Sequence, residues 1–155
     1  DLALENNNPN GDAVGRGMKV AKEQIVGMVA AIDWLLEQSD ETNLAEYNRR
    51  CKIISDAVKN IPTMQSSVVI PKIANHVPHL LLKYDPEKVG VTVAQVQERL
   101  RAQKPPIELN PNTGHKPNQG IPSDANTLVV GVWMLQPGET EIVARRIRAA
   151  LTQKA

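Results

Sequence analysis

The 155-residue sequence predicts an α+β fold: long amino-terminal helices, then a small, mostly antiparallel sheet covered by helices on one side. Three observations carry this. Apolar residues recur at helical spacing through 20–37 and again through 43–60. The period then switches to short β-branched runs at 67–73 and 127–135. Helical spacing returns from Glu139 onward.

In residues 20–37, Ile25, Val26, Met28, Val29, Ile32, Leu35 and Leu36 make an apolar face too wide for a single contact. Residues 43–60 repeat the pattern with Leu44, Tyr47, Cys51, Ile54 and Val58; Asn43 is the expected cap and Pro62 the stop. Ser67–Ile73 reads as a strand, and Pro71, having no N–H to donate, confines it to a sheet edge or a bulge. Pro78–Tyr84 reads as a second strand whose unbroken Leu80-Leu81-Leu82 asks for cover on both faces. Asn75-His76 supplies the turn that makes the two strands a hairpin.

Thr92-Val-Ala-Gln95 is a capping box, and it opens a helix over 92–103 with Val93, Val96 and Leu100 on its apolar stripe. Pro105-Pro106 stops that helix. Ile107–Leu109 reads as a short strand, so that 79–84, 92–103 and 106–109 form a crossover unit. Residues 110–126 hold three prolines, two glycines and four asparagines, the composition of a long loop. Thr127–Leu135 is the strongest strand signal, and Gln136-Pro-Gly138 breaks it. The final helix turns Ile142, Val143, Ile147 and Leu151 inward and Arg145, Arg146 and Arg148 outward. The expected order is ααββαββα.

Composition limits the function classes. Net charge is +1 with acids and bases interleaved, which builds no broad positive field for nucleic acid. Aromatic residues make up 3% with no Phe, so base-stacking platforms are not expected either. No apolar run reaches membrane-spanning length, and the amino terminus does not read as a signal peptide. The one cysteine, Cys51, falls on an apolar helix position and is expected to be a buried structural thiol, in keeping with a reducing cytoplasm. Trp34 and Trp133 are expected in the core or partly buried. His76 and His79 are three apart and His115 stands on the long loop; these are too few ligands for a metal, so none is expected, and the histidines read as surface or turn residues. Asp85 and Glu87 read as a turn rather than an acid/base pair. Nucleophile-elbow, dinucleotide-binding and Walker motifs are all missing.

The segment with chemical content is Gly15-Arg-Gly-Met-Lys-Val-Ala-Lys-Glu23, just ahead of the first helix. Its glycines loosen the backbone, and Arg16 and Lys19 are placed to converge on an anion where free N–H groups and the helix dipole favour negative charge. Lys22 is the third base. A solvated basic loop has the same composition, and the residues alone leave the two readings open.

Asp1 is not an initiator methionine, and Glu5–Asp12 reads as loop, so the chain is expected to be part of a longer one. Residues 1–14 are then an arm left from an upstream domain and 15–155 one small domain.

Gly15-Arg-Gly-Met-Lys-Val-Ala-Lys-Glu-Gln-Ile-Val-Gly27 resembles a segment of the pyridoxal-phosphate family that holds bacterial selenocysteine synthase and the glucosaminate-6-phosphate ammonia-lyases. In the ammonia-lyase-like branch the segment reads G-R-x-M-K-V-x-K-E-x-I-x-G. His76–Leu82, Thr92–Leu100 and Lys104–Glu108 match more loosely. The resemblance implies the carboxy-terminal domain of a fold-type-I enzyme using pyridoxal phosphate, homo-oligomeric, with its cofactor lysine upstream of this chain and no catalytic residue within it. It implies that Arg16 and Lys19 line the site and bind a substrate or phosphate anion. Lys19 stands where the selenium-transferase branch has a second arginine, and a point charge replaces a bidentate fork. That departure favours ammonia elimination from a small anionic amino acid or amino sugar acid. A selenium-transferase-like enzyme or an aminotransferase on the same fold is the first alternative. A non-catalytic α+β interaction or ligand-binding module is the second. The partners expected are the upstream large domain and a small anionic amino substrate, with no nucleic acid and no membrane.

Overall fold

A computed structural model describes residues 20–72 and 76–153, in two compact units, 1–39 and 40–155. The described part of the first unit is helix α1 (Lys22–Leu36) with its flanking residues. None of its residues is buried, and its apolar side chains are all well exposed, from Ile32 at 48% to Leu36 at 78%. Trp34, expected in packing, is exposed too. Eleven of the fifteen residues are apolar or glycine, so no polar face exists to turn outward.

The second unit runs α2 (Asp40–Val58), β1 (Gln65–Val69), β2 (His79–Lys83), α3 (Pro86–Val89), α4 (Val93–Arg101), β3 (Thr127–Gly131) and α5 (Glu139–Thr152). The strands form one antiparallel sheet in the order β1-β2-β3, with Ser67 opposite Leu81 and Leu81 opposite Val129. The α+β class and the hairpin of the first two strands are as the sequence predicts. The order is not: it is ααββααβα.

Four local differences have physical causes. Helix α2 starts three residues before Asn43, because Asp40 and Glu41 suit the positive end of a helix dipole. Strand β1 starts and ends earlier than expected, and stops ahead of Pro71, which has no hydrogen to give the ladder. Asp85 caps the short helix α3, its Oδ1 accepting from Glu87 N–H at 3.0 Å, and Gly90 ends it at φ +82. The sequence shows only a turn there.

The fourth difference is the expected strand 107–109, which does not form. Instead the residues just after it pair with the outer side of β3. Asn110 N–H donates to Val129 O at 3.0 Å and Gly114 N–H to Thr127 O at 2.9 Å. The buried Thr113 hydroxyl donates to Val129 O at 3.2 Å and accepts from Val129 N–H at 3.0 Å. A side chain thus does what a fourth strand would do, and the expected crossover unit is absent.

The main core lies between the sheet and the helices. Ile54 and Val58 of α2, Leu80 and Leu82 of β2, Val96 and Leu100 of α4, Leu128 and Val130 of β3 and Ile147 of α5 all meet there. Leu81 points the other way, onto Ile121 and Val129, with Val69 beside them. The leucine triplet is therefore covered on both faces, by helices on one and by the long loop on the other. Thr92 caps α4 in the expected box: its hydroxyl accepts from Gln95 N–H, and Thr92 N–H donates to the Gln95 side chain at 2.9 Å.

Three arginines tie the layers together. Arg50 donates to Val132 O at 3.0 Å and Leu135 O at 2.7 Å, and its Nε donates to Glu46. Those two carbonyls lie past β3, which ends at Gly131 and not at Leu135 because the chain turns there. Arg99 donates to Ala150 O and Gln153 O, both at 2.8 Å, and so satisfies carbonyls at the end of α5. Arg146, expected to point outward, is half-buried and donates to the Gln103 side chain and Lys104 O; Arg145 and Arg148 are exposed as expected.

Candidate functional site

Arg16 and Lys19, the residues the sequence singles out for anion binding, lie outside the described residues. Helix α1 begins at Lys22, the last base of the motif, and Lys22 is exposed. Ala21 N–H donates to the Gln24 side chain at 2.9 Å, which satisfies one of the orphan donors of the first turn.

The histidines do not converge. His79 is buried, contrary to its surface reading. Its Nδ1 lies 2.8 Å from Val77 O, and its ring sits 4.9 Å from that of the half-buried Trp133. Gly131 makes that arrangement possible, since a Cβ there would come within 2.6 Å of the indole. His76 lines a concavity of about 360 Å³ with Asp40, Asn43, Leu44, Tyr47 and Ile70. His115 lines a separate one of about 370 Å³ with Thr92, Gln97, Thr113, Gly114 and Asn126. Among the described residues no group of three or more His, Cys, Asp or Glu could hold a metal ion.

Cys51 is buried, and desolvation pushes its thiol up to about 11. The reactive form is the thiolate, so at pH 8 only about one molecule in a thousand carries it. Ellman's reagent at pH 8 is expected to leave the folded chain unlabelled for many minutes and to titrate one thiol once guanidinium is added. Rapid full labelling of the folded chain would show that Cys51 is open to reagent. Tyr84 is buried as well, and burial pushes its phenol up to about 12, so it stays protonated across the working range. Every described lysine is exposed. Among the described residues no helix is long and apolar enough to cross a membrane.

No family model matches the sequence. A curated relative, a 5'-C-glycyluridine monooxygenase-decarboxylase from a Streptomyces species, is 26% identical over 138 residues, which cover 89% of this chain and 32% of the relative. The solved structure of D-glucosaminate-6-phosphate ammonia-lyase superposes on 90% of this chain with a TM-score of 0.62 at 18% identity, covering 34% of that protein. The chain spans about a third of the length of either protein, and it shares its fold with a segment of the ammonia-lyase.

Proposed function

We propose that this chain is the carboxy-terminal domain of a pyridoxal-phosphate enzyme that eliminates ammonia from an anionic α-amino acid. The observation that carries the reading is the superposition on D-glucosaminate-6-phosphate ammonia-lyase along 90% of the chain. The motif from Gly15 to Gly27 supports it independently of the fold. So does a likeness between the two relatives: D-glucosaminate and 5'-C-glycyluridine are both α-amino acids.

Pyridoxal phosphate is held by a lysine whose ammonium is desolvated or crowded by positive charge. None of the described lysines fits, for all are exposed. The reading therefore takes the cofactor lysine from an upstream large domain. The cofactor, when bound, supplies an electron sink for carbanion chemistry. This domain supplies shape, and Arg16 and Lys19 hold the phosphate or carboxylate of the substrate. The exposed apolar side chains of α1 give the upstream domain a surface to bury, in a homo-oligomeric parent.

A second reading has its own support. The sequence relative is a monooxygenase-decarboxylase, and 26% identity to it exceeds the 18% to the lyase. In that case the parent would consume oxygen and release carbon dioxide from the amino acid. The full-length protein decides. It is expected to purify yellow and to release ammonia from D-glucosaminate-6-phosphate without oxygen uptake. Arg16→Ala is expected to lower kcat/KM roughly ten- to hundredfold, the worth of one charge-assisted hydrogen bond, while the bound colour remains. Oxygen uptake on an amino acid substrate favours the second reading. A full-length protein that binds no pyridoxal phosphate sinks both and favours a non-catalytic module.

A further inference from the structure

We draw no further inference here: the strongest candidate, the concavity of about 360 Å³ between the start of α2 and the segment leading into β2, lined by Asp40, Asn43, Leu44, Tyr47, Ile70 and His76, has nothing in the structure to show what fills it.

Discussion

Arg50→Ala is expected to lower the unfolding free energy of the second unit by about 3 kcal/mol, from the loss of two charge-assisted hydrogen bonds to backbone carbonyls. The guanidinium is held on three sides. Nε meets Glu46 at 2.9 Å, and the bonds to Val132 O and Leu135 O fix the turn that follows β3. Only 12% of the arginine side chain is exposed, and Val132 is wholly buried. Truncation would therefore strand a buried carbonyl with no water to replace its partner. Lysine restores charge but not the forked geometry that reaches two carbonyls at once, so Arg50→Lys should recover less than half of the loss. Urea titration followed by circular dichroism checks both values. A drop below about 1 kcal/mol for the alanine variant, within the range of an ordinary neutral hydrogen bond, would show that the turn holds without its clamp.

Leu82→Ala is expected to remove about 3–5 kcal/mol, the range for deleting a leucine side chain from a rigid core. Leu82 is completely buried on the central strand, between Ser66 of β1 and Leu128 of β3, and it faces the helices. The core cluster it belongs to draws on three helices, α2, α4 and α5, so the site is expected to resist collapse. Leu81→Ala is the internal comparison. Its side of the sheet is a thin layer of Ile121, Val129 and Val69 under a loop, which can settle into the space. Its loss should be smaller, about 2–3 kcal/mol. Equal losses at the two positions would mean that the loop layer is as stiff as the helical one. Domains have only about 5–15 kcal/mol to lose, so Leu82→Ala should fall near the limit of folding.

The sequence made some of this legible because those features are local. Helical spacing located α1, α2, α4 and α5, and the capping box at Thr92 placed the start of α4 to the residue. Leu80-Leu81-Leu82 announced a strand covered on both faces, and the structure covers both. What could not be read depended on distant partners. Ile107–Leu109 has strand composition, but the outer side of β3 is filled by Thr113 through its hydroxyl, and no pattern shows a side chain taking a ladder position. Arg50, Arg99 and Arg146 look like ordinary charges on helix surfaces; their carbonyl partners lie 42 to 85 residues away. His79 reads as a turn histidine because nothing in its neighbourhood reveals the tryptophan and the glycine that bury it. The anion motif was legible only as a motif. Arg16 and Lys19 fall outside the described residues, so the anion site rests on sequence resemblance.

The clamp at Arg50 also sets an order of events during synthesis. Its acceptors are 82 and 85 residues further along the chain, and the helix that carries it packs on α5. A ribosome that has released α2, β1 and β2 has released one wall of a core whose other wall does not yet exist. Ile54, Leu80 and Leu82 stay incompletely covered until residues 139–152 emerge. Such distant pairing makes folding slow as well as late. The nascent chain is therefore most open to capture by chaperones, or by other nascent chains, in the interval between β2 and α5. A synonymous change that slows translation there would lengthen that exposure without altering a single residue of the product.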